Sequence, residues 1–203
     1  MTVLFFLPVT ISVSHACLGQ AFFCITVCLA LFTRSEWRWD QQAFQDPGSP
    51  SLRQLAAGTT AAIFLQLMLG AAFRHNGFGI IPHVIGAVVV TVGVLWTLVR
   101  VLVAYPRERN LVRPALLLAG LLVVQIALGV SSYIAKMAAI DAPQPLSNVV
   151  GVTTTHVAVG ALVLASSLLL TLQVFRKVAA PGKGRAVALT IPKSNELPGA
   201  SRA

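Results

Sequence analysis

The sequence predicts an all-α membrane protein, a five-helix transmembrane bundle built from a four-helix half and one extra N-terminal helix. Hydrophobic residues make up 56% of the 203 residues and charged residues only 10%, which is far more apolar than a soluble domain. A bilayer core of about 30 Å requires roughly 20 apolar residues per helix. Five segments meet that requirement, and they span residues 11–33, 54–73, 80–104, 113–136 and 149–175.

The first helix is expected to follow a short external entry. The first 14 residues carry no charge, and without a basic region they make a poor signal peptide. The helix is expected to begin near Ser12 or Ser14. Residues 1–34 are therefore interpreted as an external entry and the first transmembrane helix.

A polar linker and a polar tail flank the remaining helices. Residues 35–53 are rich in turn-forming residues and predict a cytoplasmic linker, in which Trp37 and Trp39 are expected at the lipid headgroups. Residues 178–203 are rich in Pro, Gly and Lys, a composition typical of a disordered cytoplasmic tail.

Residues 54–177 are predicted to form a four-helix transmembrane bundle that binds haem, on grounds given below. The apolar segments in this region are separated by three short polar stretches. We expect an external turn at 74–79, an internal loop at 105–113 and an external loop at 137–148.

The basic residues predict the orientation in the membrane. Lys and Arg number 15 against six Asp and Glu, and the net charge is +9. Thirteen of the 15 follow the first, third or fifth segment, whereas Arg74 and Lys136 fall on the other side. The positive-inside rule then places the N-terminus outside and the C-terminus in the cytoplasm of a multi-pass plasma-membrane protein. This asymmetry accounts for the basic charge, so nucleic acid is not an expected partner.

An internal repeat links the segments. Residues 66–70 (QLMLG) match residues 125–129 (QIALG), and each stretch precedes a histidine-bearing helix. Residues 15–19 (HACLG) likewise match residues 156–160 (HVAVG). The repeating unit is a hairpin of a Gln/Gly helix and a His/Gly helix. Because the first segment resembles the second half of such a unit without its partner, a truncated or split protein is expected.

Three histidines lie at matching depths in three of the apolar segments. An ionisable residue inside lipid is a functional-site hypothesis by default, and imidazole is a common axial ligand of haem iron. A glycine one helical turn later leaves flat space in which a porphyrin can lie. The alternative is packing with a hydrogen bond between helices, but the threefold recurrence favours haem. The pairs are His15 with Gly19, His83 with Gly86, and His156 with Gly160.

His83 and His156 form the complete pair of predicted ligands, because both lie near the outer ends of inward-running helices. His15 has no visible partner in the chain. Arg74 and Lys136, at the outer membrane surface, are candidates to pair with haem propionates, with ordinary interfacial charges as the alternative.

Other polar residues near these histidines have less direct roles. Threonines 153–155 are candidates to fix the ring tautomer of His156. Gln66 and Gln125 are interpreted as helix–helix contacts rather than catalytic groups, and His75 as a solvated residue on the turn.

At these residues the chain resembles the heme A synthase family, which are cytochrome oxidase assembly membrane proteins. The resemblance runs from residue 1 to about residue 177, and its clearest stretches are residues 2–24, 66–86, 125–129 and 153–160. The family has eight transmembrane helices in two four-helix halves, each with two haem-facing histidines, and this chain resembles the last five helices.

The resemblance implies ligands, a cofactor and a reaction. His83 and His156 match the haem b ligands of the second half, and His15 matches the last histidine of the first half, where the substrate haem is thought to bind. The implied reaction is oxidation of the haem O methyl group to the formyl group of haem A, during cytochrome c oxidase assembly. Haem O and haem A are then substrate and product, and cytochrome oxidase assembly factors are implied partners.

The chain departs from the family pattern at its start, where the first three helices and the acidic residue of the first external loop are missing. We therefore expect haem binding without synthesis of haem A by this chain alone, and completion by a separate N-terminal half or by a second copy in a homo-oligomer. The alternative functions are a b-type cytochrome module that carries electrons or haem without catalysis, and a haem-free structural or transport bundle.

Overall fold

The computed structural model describes residues 8–38, 44–46, 48–75, 77, 79–143 and 146–180. A short 3-10 helix, Ser35–Arg38, and five α-helices lie within them. All five α-helices are long and apolar enough to cross a membrane, and the described residues form no β-strand. The predicted all-α, multi-pass architecture is confirmed. The helices are α1 (Val9–Phe32), α2 (Leu52–Arg74), α3 (Ile80–Ala104), α4 (Arg109–Ala138) and α5 (Ser147–Lys177).

Two helix starts differ from the expected positions. α1 begins at Val9, because Pro8 has the fixed φ of a helix start and lacks only a backbone donor that the first turn does not use. α4 begins at Arg109, so the expected loop 105–113 shrinks to residues 105–108. Leu111 in the first turn of α4 is fully buried, and its packing extends the helix into a stretch that is basic and polar in sequence.

Helices α2 to α5 form a closed four-helix ring, and α1 packs outside it. The sequential hairpins α2/α3 and α4/α5 make the most extensive contacts, and α2 with α5 and α3 with α4 close the ring. α1 contacts only α2 and α5 among the long helices of the described chain. This arrangement matches the predicted four-helix half with one extra helix.

The core is concentrated in one half of the ring. α2 and α4 begin, and α3 and α5 end, at the end of the bundle that faces the linker between α1 and α2. Most of the buried side chains belong to this linker-side half, whereas the opposite half, which contains the histidines, buries few. The fully buried side chains include Leu52, Val94, Val101, Leu111, Leu118, Leu164 and Leu170.

The last part of the linker packs against the bundle. Phe44 N–H donates to the carbonyl of Lys177 at 2.7 Å, and Ala179 N–H donates to the carbonyl of Phe44 at 2.8 Å. The Lys177 side chain, at the end of α5, pairs with Glu108 at 2.9 Å. Residues 44–46 and 48–51 therefore lie across the linker-side end of the ring.

Asp46 organises this end of the molecule. Its buried carboxylate pairs with Arg100 of α3 at 2.8 Å and accepts the backbone N–H of Leu52 at the start of α2. The Tyr105 hydroxyl donates to the carbonyl of Gln45 at 3.2 Å. Burial, together with the nearby Asp46 carboxylate, raises the pKa of Tyr105 above its ordinary value. Trp39 and residues 181–203, to which the sequence assigned a headgroup anchor and a disordered tail, lie outside the described residues.

Candidate functional site

His83 and His156 face each other in the loosely packed half of the ring. His83 lies in the first turn of α3 and His156 in the third turn of α5. Their ring centres are 6.4 Å apart and their ring planes cross at 83°. Both residues are half-buried. The structure therefore brings together the two histidines that the sequence pairs.

Each histidine ring rests on a glycine of the preceding helix. A Cβ atom at Gly70 of α2 would lie 3.0 Å from Cε1 of His83. A Cβ atom at Gly129 of α4 would lie 3.1 Å from Cε1 of His156. Because real Cβ contacts are rarely this close, the glycines that end the two Gln/Gly motifs provide the space in which the imidazoles sit.

The glycines that follow the histidines are covered by glutamine side chains. A Cβ atom at Gly86 would collide with Oε1 of Gln66, and one at Gly160 would lie 3.0 Å from Nε2 of Gln125. The sequence predicted open space for a porphyrin at these positions. In the closed ring the facing helix fills that space, so these glycines allow close helix packing instead.

The two contacts are reciprocal, and they make the internal repeat a structural unit. A glutamine of the first helix covers a glycine of the second, and a histidine of the second helix rests on a glycine of the first. We call this arrangement the Gln–His interlock. One copy joins α2 to α3 and the other joins α4 to α5. The copies comprise Gln66, Gly70, His83 and Gly86, and Gln125, Gly129, His156 and Gly160.

The two interlocks hold their histidines unequally. Nε2 of Gln66 donates to the carbonyl of His83 at 2.8 Å and lies 3.1 Å from Nδ1 of the same residue. An amide nitrogen can only donate, so in this orientation Nδ1 of His83 is the acceptor. Nε2 of Gln125 lies 3.5 Å from Nε2 of His156, and Nδ1 of His156 is buried without a hydrogen-bond partner. His156 is therefore the less satisfied of the pair.

The spacing of the pair fits a haem iron held between two imidazoles. A metal–imidazole bond is about 2 Å long, and bonds of about 1.35 Å place each ring nitrogen about 1.15 Å from the ring centre. Two imidazoles on opposite sides of one iron therefore have ring centres about 6.3 Å apart. The separation of 6.4 Å between His83 and His156 meets this requirement.

The donor set also suits haem. Zinc sites usually take three or four protein ligands, whereas among the described residues no three His, Cys, Asp or Glu side chains are grouped to hold a metal. A porphyrin supplies four ligands itself and needs only axial ones. The orphaned Nδ1 of His156 is a further feature that a bound group would resolve.

Phe73 connects Lys136 to the histidine pair, and sequence reasoning missed it. Its ring stacks on that of His83, with centres 6.5 Å apart and planes 10° from parallel. Nζ of Lys136 lies 4.8 Å from the centre of the Phe73 ring on the other helix hairpin. Arg74 is the next residue on α2 and is exposed. Both predicted propionate partners are thus at the histidine end of the bundle.

The threonines before His156 do not orient it. Thr153 donates to the carbonyl of Val149 at 2.7 Å, and Thr155 donates to the carbonyl of Gly151 at 2.8 Å. Threonines inside a helix commonly bond the carbonyl four residues earlier. For Thr153 and Thr155 the expectation that they fix the ring tautomer is wrong, and the polar group beside the His156 ring is Gln125 instead.

His15 lies apart from the pair. It is exposed on α1, and a Cβ atom at Gly19 would have nothing within 4 Å. No glutamine of α2 or α5 covers Gly19, although α1 contacts both helices. The structure therefore separates His15 and Gly19 from the site that holds the other two histidine–glycine pairs.

Comparisons of the chain with protein-family models, curated proteins and solved structures found no match. The interpretation of the site therefore depends on its residues and their geometry.

Proposed function

We propose that the protein is a haem b-binding membrane oxidoreductase of the heme A synthase type. The observation that carries this proposal is the facing pair His83 and His156, with ring centres 6.4 Å apart and ring planes nearly perpendicular. These two residues would hold the haem iron, and the haem would supply one-electron redox chemistry. The resemblance of residues 1–177 to the heme A synthase family is the reason for proposing this class rather than another class of haem protein.

The surrounding side chains have roles that follow from their positions. Gln66 contacts both the backbone and the ring of His83, so it would hold that ring in place. An iron-bound histidine donates its other ring N–H, so the Gln66 amide would turn its unpartnered Oε1 toward Nδ1 to accept that proton. Lys136 and Arg74 place positive charge at the same end of the bundle, where carboxylates on a haem edge would be attracted to them.

The enzymatic part of the proposal concerns His15. By the family resemblance, His15 would bind the substrate haem O, whose methyl group is oxidised to the formyl group of haem A for cytochrome c oxidase assembly. His15 is exposed on the outside of the ring, and oxidation requires the substrate to be held close to the reacting groups. We propose that another polypeptide completes this site, and that the chain alone does not make haem A.

The proposed setting is the plasma membrane, with the N-terminus outside. Arg53, Arg100 and Arg176 lie at the linker-side ends of their helices, and Arg74 and Lys136 lie at the other end. This distribution supports a cytoplasmic linker and an external histidine end.

A b-type cytochrome module is the second candidate. With the iron held by both His83 and His156, the haem would be suited to electron transfer rather than to binding a further ligand. The pair His83 and His156 is complete without His15, which favours a role that needs one haem only.

Expression in a host that makes haem O but lacks its own heme A synthase tests the proposal. We expect the purified protein to contain haem b with a bis-imidazole absorption spectrum and no haem A. A His75→Ala variant is the matched control, since His75 is an exposed histidine beside the site and its removal should leave the spectrum unchanged. Protein that folds but binds no haem would overturn the proposal. Formation of haem A by this chain alone would contradict the claim that the chain is insufficient for synthesis. It would support an active site built from several copies of the chain.

A further inference from the structure

A cleft separates α1 from the four-helix ring in the linker-side half of the bundle. It is an open groove with a volume of about 540 Å³ between α1, α2 and α5. Small side chains make the space, because α1 carries alanine and cysteine here and α2 carries two alanines. The wall includes Ala21, Cys24, Ala57, Ala61, Phe64 and Leu164.

The wall of the cleft offers no free hydroxyl group to a ligand. Thr60 and Thr171, which also line it, are 2.8 Å apart at their hydroxyl oxygens. Thr60 is also bonded to Ser167 at 2.7 Å, and Thr171 donates to the carbonyl of Ala56 at 3.1 Å. Since these hydroxyls are satisfied within the protein, the matching occupant is a hydrocarbon chain.

A polar hollow lies between α1 and α5, nearer the linker-side end of the bundle than the cleft. The hollow is lined by Leu31, Arg34, Trp37, Gln173 and Arg176. The Arg176 guanidinium lies 4.8 Å from the centre of the Trp37 ring, and Oε1 of Gln173 is buried without a hydrogen-bond partner. A guanidinium has five N–H donors in a planar fork that matches a phosphate, and an orphaned amide oxygen accepts a hydroxyl.

The charge of this corner favours an anionic ligand. Arg34, just after α1, and Arg176, near the end of α5, both line the hollow, so a ligand there meets two positive charges. From Ile25 in the groove wall to Leu31 in the hollow, α1 rises about 9 Å at 1.5 Å per residue. The apolar groove and the polar hollow therefore follow one another along α1, arranged as the tail and the head of a lipid would be.

We propose that the groove and the hollow together bind one anionic phospholipid with a hydroxylated headgroup, of the phosphatidylglycerol type. An acyl chain lies in the groove beside Ala57 and Ala61, the phosphate contacts Arg34 and Arg176, and a headgroup hydroxyl donates to Gln173. Basic pockets between helices at the cytoplasmic side are a known mode of recognition for anionic lipid headgroups. The site is independent of haem, because it lies at the end of the bundle opposite His83 and His156.

Native mass spectrometry of the full chain in detergent tests the proposal. The protein is mixed with equal amounts of phosphatidylglycerol and phosphatidylcholine that bear the same acyl chains. We expect one retained phosphatidylglycerol per chain, at a preference of about 25-fold, which corresponds to about fivefold for each of the two arginines. The Arg34→Gln/Arg176→Gln variant should reduce the preference to near one, and each single variant should reduce it about fivefold, which keeps the test available if the double variant fails to fold.

Two further variants separate the cleft from general surface charge. Arg109→Gln/Arg113→Gln removes two exposed arginines of α4 at the same end of the bundle but outside the cleft, and the preference should not change. Ala61→Leu fills the groove, so it should lower retention of both lipids without changing their ratio. Equal retention of both lipids by the unmodified chain, or an equal loss of preference in the Arg109/Arg113 control, would overturn the proposal.

Discussion

Helix α1 and helices α3 and α5 carry similar histidine–glycine patterns but have different surroundings. In α3 and α5 each histidine rests on a glycine, and each following glycine is covered by a glutamine from the preceding helix. In α1, His15 is exposed and Gly19 is open. The difference lies in the partner helix. α2 and α4 supply a glutamine and a glycine to α3 and α5, whereas no described helix supplies them to α1. A histidine–glycine pattern is therefore half of a site, and the Gln–His interlock is the complete unit.

Removal of the histidines should have the largest effect and should differ between these regions. His83→Ala or His156→Ala should lower haem affinity by more than about a hundredfold, because even the loss of a residue that only supports a ligand costs 10- to 100-fold. His15→Ala should leave the haem content unchanged. The haem-to-protein ratio of the three purified variants measures this. An equal loss of haem in the His15→Ala variant would contradict the distinction between α1 and the ring.

Substitutions at Gly70 and Gly129, on which the histidine rings rest, should have a smaller effect. The quantity that they change is the free energy of unfolding. Gly70→Leu and Gly129→Leu place side chains where the His83 and His156 rings lie, and overpacking of this kind costs about 1–3 kcal/mol. Gly19→Leu meets open space and should change stability by less than about 0.5 kcal/mol. Unfolding in detergent, followed by circular dichroism, makes the comparison. A Gly19→Leu variant as damaged as the other two would indicate that α1 has a tight partner.

Substitution of the two glutamines should produce the smallest effects. These variants allow the α2/α3 interlock to be compared with the α4/α5 interlock. Gln66→Met removes a short bond to His83, at a cost of about 1 kcal/mol. Gln125→Met removes a contact of 3.5 Å and should cost no more than about 0.6 kcal/mol, the average for polar contacts between membrane helices. Chemical unfolding of both variants and of the parent protein shows which substitution lowers the free energy of unfolding more. The reverse order would mean that the α4/α5 interlock, not the α2/α3 interlock, holds its histidine more firmly.

Hydrophobic length and periodic motifs were enough to predict the five helices and the pairing of His83 with His156. The prediction worked because apolar length determines which segments span a bilayer, and because similar depth on two parallel helices brings side chains to one level. The roles of Gly86 and Gly160 were not predictable in the same way. Which side chain covers a glycine depends on helix rotation, and the ring turns Gln66 and Gln125 toward these positions.

Contacts between residues far apart in the chain also could not be predicted from the sequence. Phe73 lies between Lys136 and His83, but it is one of many aromatic residues in apolar segments and carries no distinguishing pattern. Asp46 lies in a stretch that is typical of a solvated linker, yet its carboxylate is buried against Arg100. Both positions result from tertiary packing, which local composition does not encode.

Electron paramagnetic resonance of the oxidised, purified protein tests the central claim most directly. The claim is that His83 and His156 hold one haem iron between nearly perpendicular imidazoles. The account predicts one low-spin ferric signal per chain and loss of that signal in either histidine variant. A high-spin signal from the unmodified protein, or the same low-spin signal after His83→Ala or His156→Ala, would contradict it.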